Sequence, residues 1–124
     1  MIMKRDFGLA ILRVGAASLM LTHGVPKFLK LIGDSEIEFG NPIGIGPTAT
    51  LILAVIGEFI CPILILIGFK TRWATIPPIL VMLTATFIVH AQDPFGKKEK
   101  ALLFLIMFVA ILLMGPGKFS VDNR

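Results

Sequence analysis

The sequence predicts an all-α membrane protein, a transmembrane antiparallel four-helix bundle forming a single domain over residues 1–124. Three observations carry this prediction. Hydrophobic residues make up 56% of the chain and charged residues 16%, against roughly 45–50% and about 25% in soluble domains. A soluble chain this short leaves roughly a third of its surface exposed, so it could not hide that excess; the mean hydropathy of +0.89 agrees. The apolar residues also gather into four long stretches separated by short turns of glycine, proline and charge. Backbone groups inside a bilayer must be satisfied internally, and the alternation of a β-barrel is absent, so the stretches are helices. Short connections leave only an up-down-up-down order.

The first span covers about Phe7–Ile32, after Lys4 and Arg5. A basic start before an apolar run resembles a signal peptide. Arg13 interrupts the run, however, and the stretch is far longer than a signal core, so it reads as a retained span. Residues 33–46, with Asp34, Glu36, Glu38 and Pro42, form a loop whose Ile37, Phe39, Ile43 and Ile45 suit the interface. The second span, 47–69, opens on Pro47 and meets a stop at Gly68. Lys70-Thr71-Arg72 makes a tight turn into the third span, 73–91, which begins with an interfacial tryptophan. Gln92-Asp93-Pro94-Phe95-Gly96 is a turn by its Asp-Pro and Gly signals. The fourth span, 98–114, is wholly apolar from Ala101 to Met114 and ends at Gly115-Pro116-Gly117.

The single cysteine, Cys61, allows neither an intrachain disulfide nor a dithiol relay. The net charge of +4 does not indicate nucleic acid. Its basic residues sit mostly at span ends, where they set topology and meet lipid headgroups. Lys4, Arg5, Lys70, Arg72, Lys118 and Arg124 fall on one side; Lys27, Lys30, Lys97, Lys98 and Lys100 fall on the other. This bias places both termini in the cytoplasm.

Ionisable groups inside spans are costly and point to function. Glu58 sits ten residues before Gly68, about 15 Å along the helix and near the midplane. A carboxylate there must be neutral, paired or wetted, and Arg13 is its expected partner in a structural ion pair. Pro62 has no N–H to give the Glu58 carbonyl, and Pro26 likewise frees the carbonyl of Thr22, beside His23. On a helical wheel His23, Lys27 and Arg13 share one face of the first span. Thr86 and His90 share a face of the third. His23, Lys27, His90 and Glu99 are therefore expected to line one ligand pocket near the outer interface, roofed by the 33–46 loop. His23, Glu58 and His90 are the candidates for chemistry. The two histidines lack the spacing of a metal or haem site, and no metal is expected.

Leu12-Arg13, Thr22-His23-Gly24 with Lys27, Gly57-Glu58 and Gly68-Phe69-Lys70-Thr71-Arg72-Trp73-Ala74 resemble the DoxX family. So do His90, Asp93-Pro94-Phe95, Glu99-Lys100-Ala101-Leu102 and the closing run Gly115–Asp122. The resemblance covers the chain from about Arg5 to Asp122 and rests on the order and spacing of these motifs. It implies a four-span protein of the bacterial inner membrane with cytoplasmic termini and a redox association. Some relatives resemble the quinone-reducing membrane subunit of thiosulfate:quinone oxidoreductase, and others join complexes handling oxidative and thiol stress.

The leading expectation is thus a membrane subunit of a quinone-linked redox or oxidative-stress complex. Such a subunit binds a quinone or small anion, holds no cofactor of its own beyond that quinone, and takes electrons from a soluble partner. A proton-coupled transporter and a non-catalytic anchor for a soluble enzyme are the alternatives. The sequence is compatible with a homo-oligomer.

Overall fold

The computed structural model describes residues 3–33, 44–89 and 91–122. Among them four helices follow one another: α1 (Lys4–Ile32), α2 (Pro47–Ile67), α3 (Thr71–Val89) and α4 (Phe95–Met114). Each agrees with an expected span to within three residues at either end. Most of the expected loop, residues 34–43, and His90 of the expected pocket lie outside the described residues.

Helices α1, α2 and α3 are each long and apolar enough to cross a membrane. Helix α4 differs because Lys97, Lys98, Glu99 and Lys100 fill its first turns. Its apolar run Ala101–Met114 covers about 20 Å at 1.5 Å per residue, so its charged opening extends to the interface. Around the bundle α1 packs against α2, α2 against α3, α3 against α4, and α4 against α1, while the diagonal pairs stay apart. The core is built from Ala16, Ala17 and Met20 of α1, Ile65 of α2, Ala74 and Met82 of α3, and Phe104, Phe108 and Ile111 of α4. Large apolar side chains that remain exposed, among them Ile11, Leu19, Leu103, Ile106 and Leu113, form the perimeter that meets lipid.

Small residues set the helix spacing, as they do where lipid removes the ordinary hydrophobic drive. A Cβ on Gly24 of α1 would stand 1.9 Å from the carbonyl oxygen of Glu58 in α2. A Cβ on Gly57 would stand 2.6 Å from Val81 Cγ2 and 3.2 Å from the Pro77 carbonyl oxygen of α3. Two consecutive residues of α2 are therefore squeezed between backbones on both sides.

The side that carries both termini is closed by the segment after α4. Gly115 and Gly117 take φ of 81° and 82°, which turn the chain back under the bundle. Val121 N–H bonds to Ile67 O at 3.1 Å and Asp122 N–H to Gly68 O at 2.8 Å. The Asp122 carboxylate then accepts from Lys70 N–H at 2.7 Å and Thr71 N–H at 2.8 Å, capping α3 from a distant position. Desolvation pushes the Asp122 pKa upward, but the Thr71 and Lys70 amides, with the nearby Arg13 charge, outweigh it and hold the carboxyl below its ordinary value. Arg13 donates to Pro116 O at 2.8 Å and to Phe119 O at 2.5 Å. Rings of Phe7 and Phe119 meet with centroids 5.3 Å apart.

Two outcomes follow. Gly24→Ala drives a methyl group into the α2 backbone, which has no rotamer to yield, and is expected to cost about 1–3 kcal/mol; thermal unfolding in detergent checks this, and an unshifted midpoint contradicts the close approach. Asp122→Ala removes the α3 cap and is expected to cost about 1 kcal/mol. Because the folded pKa of Asp122 is depressed, its contribution is full above the unfolded carboxylate value of about 3.9. It is lost as pH falls through the lower folded value. The stability gap between wild type and variant, followed by denaturant titration, closes only in that acid range.

Candidate functional site

Pro62 lies within α2 and has no N–H to offer the carbonyl of Glu58. There the helix widens into a π turn over Ile56–Ile60, with Cys61 N–H bonding to Ile56 O. Such single π turns commonly mark functional positions in helices. Glu58 sits within this turn and is only 3% exposed. A carboxylate at that depth needs a partner, and Lys27 of α1 supplies it: Nζ lies 2.5 Å from Oε2.

The expected Arg13–Glu58 pair is not formed, and helix register explains why. Glu58 abuts Gly24, while Arg13 Nη1 lies 3.1 Å from the Cβ position of Gly68. Arg13 is therefore level with Gly68, about 15 Å of helix rise away from Glu58. Pairing Arg13 with Glu58 would need Phe7 to stand near the level of Gly68. Helix α1 instead runs past the α2–α3 turn, which lowers Arg13 by about two turns and brings Lys27 within reach. The partner does come from α1, one residue type and several turns from the expected one.

Between the helices, beside this pair, lies a cavity of about 750 Å³. Its walls are mainly apolar, with Met20, Leu53, Ile56, Leu80 and Phe104 among them. Glu58, Lys27 and His23 supply polar groups, and Lys97 and Lys100 of α4 add two cations. The His23 ring stands edge-on to Phe104, with centroids 5.8 Å apart. Phe28 and Phe59 stack in parallel at 4.4 Å, bracing α1 against α2. The volume is that of a small-molecule site, and few polar groups in an apolar wall is the usual lining of one.

Of the expected pocket residues, His23 and Lys27 do line this cavity together. Glu99 does not: it is exposed and absent from the wall. At 100° per residue Lys97 and Lys100 are 60° apart, whereas Glu99 is turned about 160° from Lys97. The face of α4 that meets the cavity therefore presents lysines. His90 lies outside the described residues. Glu58, expected at the midplane and apart from the outer pocket, joins the same cavity because Lys27 links the two. The lysines of α4 were overlooked in sequence, although Lys97, Lys100, Ala101 and Phe104 follow the i, i+3, i+4, i+7 rhythm of an inward face. Among the described residues, no three His, Cys, Asp or Glu side chains group as metal ligands.

The pair yields a direct test. Removing one partner strands a buried charge, so Lys27→Ala is expected to destabilise the protein by about 2–3 kcal/mol, below the 3–5 of fully buried pairs because Lys27 keeps some exposure. Lys27→Met combined with Glu58→Gln should recover most of that loss. A double-mutant cycle on unfolding in detergent reads the coupling; additive losses contradict a functioning pair.

Comparison with known proteins agrees with the fold and supplies its family. A protein of Haemophilus influenzae, named only as an uncharacterized protein, is 30% identical over 97% of this chain and 92% of its own length. The inner membrane protein YphA of Escherichia coli is 28% identical over 96% of this chain and 95% of its own length. An uncharacterized membrane protein of Mycobacterium tuberculosis is 28% identical over 91% of this chain and 78% of its own. No solved structure matches the chain significantly. The DoxX family profile matches residues 8–91, which takes in α1 from Gly8 onward, α2 and α3, including the Lys27–Glu58 pair. The chain is a membrane protein and belongs to the DoxX family.

Proposed function

We propose that this protein is a quinone-binding membrane subunit of a redox complex, and that the cavity beside Glu58 is the quinone site. The observation that carries the reading is the pairing of an apolar intramembrane cavity of about 750 Å³ with Lys27, Glu58 and His23 on one wall. A quinone headgroup needs an apolar slot and one or two proton-handling groups at its carbonyls. Quinone reduction takes up two electrons and two protons. The electrons come from a partner oxidoreductase, since this chain has one cysteine and no dinucleotide motif. Lys27 donates hydrogen bonds to a carbonyl or to the anion that develops there. Glu58 holds Lys27 in place, and His23 is the group positioned to exchange protons.

The printed name of the Escherichia coli relative supports an inner-membrane location for this chain. The excess of basic residues on the terminal side supports cytoplasmic termini. A proton-coupled carrier is less favoured, because Lys27 already occupies Oε2 of Glu58, with Nζ at 2.5 Å.

The test is direct. Wild type purified in mild detergent is expected to carry quinone, identified by mass spectrometry of the extract. A short-chain quinone analogue should bind wild type and bind Lys27→Met/Glu58→Gln at least about tenfold more weakly, the loss of roughly one good polar contact. Wild type without quinone, together with unchanged analogue binding in the folded variant, would leave the anchor reading in its place.

A further inference from the structure

A second cavity lies at the opposite end of the bundle, on the terminal side, with a volume of about 790 Å³. Four cations line it: Arg5 from the first turn of α1, Lys70 and Arg72 from the α2–α3 turn and the start of α3, and Lys118 from the closing segment. Asp6 and Asp122 are its two acidic residues, and both carboxylates accept hydrogen bonds from backbone N–H groups, of Met3 in one case and of Lys70 and Thr71 in the other. The lining thus carries an excess of two positive charges. Leu9, Trp73 and Met114 add an apolar side to its wall.

The cations are placed by the backbone. Lys70 takes φ of 50°, a left-handed conformation held by the Asp122 cap on its N–H. The Arg72 guanidinium lies against Gly115, with Nη2 only 3.0 Å from where a Cβ would stand. Gly115 also has φ of 81°, so glycine serves both the turn and the guanidinium. Trp73 is 80% exposed on the outside of the bundle, the setting of a tryptophan at a membrane–water interface.

We infer that this bowl binds a phosphate group, and that its source is the headgroup of an anionic phospholipid. Cations gathered at the water side and apolar side chains at the lipid side match a phosphodiester with its acyl chains attached. Arginine offers a planar fork of donors that fits phosphate oxygens in pairs. Basic pockets between membrane helices take anionic headgroups elsewhere on the same grounds. The bowl joins residues from α1, the α2–α3 turn, α3 and the closing segment, so an occupant also holds that end of the bundle together.

Trp73 is the one tryptophan of the chain and lines the bowl, so it reports occupancy directly. The full chain is reconstituted into vesicles of constant phosphatidylglycerol and phosphatidylcholine content, with bromine on the acyl chains of one species or the other. Brominated phosphatidylglycerol should quench Trp73 at least about fivefold more efficiently than brominated phosphatidylcholine, the selectivity of about one basic residue near an anionic surface. Arg72→Gln, and separately Arg5→Gln with Lys118→Gln, should bring the ratio toward one, while Lys30→Gln at the far end leaves it. Arg72 packs on Gly115, so circular dichroism accompanies each variant, and the exposed Arg5–Lys118 pair gives the readout should Arg72→Gln fail to fold. Inorganic phosphate titrated in detergent tests the other source: a saturable Trp73 response with equal quenching by both lipids assigns the bowl to free phosphate. Equal quenching with no response to phosphate overturns the proposal, as does a lipid preference that survives in both folded variants.

Discussion

The need to neutralise Glu58 inside the bilayer governs how α1 and α2 meet. A carboxylate at that depth is tolerated only when paired or wetted, and the pairing with Lys27 fixes both the register and the spacing of the two helices. Lysine reaches Glu58 because Gly24, less than one turn before it, lets the helix backbones close almost to contact. The π turn at Ile56–Ile60 answers the same demand from the other side, since Pro62 leaves the Glu58 carbonyl without its usual donor. Gly57 then has to be small because α3 presses on the opposite face of the same turn. One buried charge thereby explains two glycines, a proline and a lysine.

The two ends of the bundle are finished in different ways. On the terminal side the segment after α4 folds back beneath the helices and bonds to α1, to the end of α2 and to the start of α3. Those bonds satisfy carbonyls and amides that helix ends otherwise leave to water. On the far side α1 and α4 carry the lysines and the space between helices remains as a cavity. A bundle tied at one end and spaced at the other holds an internal slot without losing helix packing, because the diagonal helices never need to touch. The core residues Ala17, Ile65, Phe108 and Ile111 fill the tied portion, and the slot begins where Met20, Ile56 and Phe104 take over.

The fold was legible in the sequence because its signals are one-dimensional: apolar length, a proline at the start of α2, and glycines after α2 and α4. Helix ends shifted by only a few residues, since local chemistry sets them. The site was legible in its parts and not in its pairing. The shared face of His23 and Lys27 follows from spacing along one helix, and both reach the cavity. The Arg13–Glu58 expectation required the relative height of two helices, and no spacing within a helix contains that. Helix α1 overshoots the α2–α3 turn because the closing segment, with Phe119 against Phe7, covers the overhang; only the assembled bundle reveals it. Glu99 drew notice as a carboxylate, yet the wheel of α4 had already turned it away from Lys97.

Arg13 and Lys27 divide two tasks that a sequence reading treats as alike. A guanidinium presents five donors in a fixed fork and suits a place where several carbonyls converge. Arg13 meets the carbonyls of Pro116 and Phe119 from the closing segment and is 3% exposed. An ammonium is a compact charge on a flexible stem, and Lys27 uses it to neutralise Glu58 while its side chain stays 30% exposed beside the cavity. Exchanging the two residues would place a rigid fork where the cavity needs one movable charge, and one charge where the chain end needs several donors. The buried arginine therefore belongs to the architecture of the tied end. The lysine, bound to Glu58 yet open to the slot, belongs to the wall of the cavity.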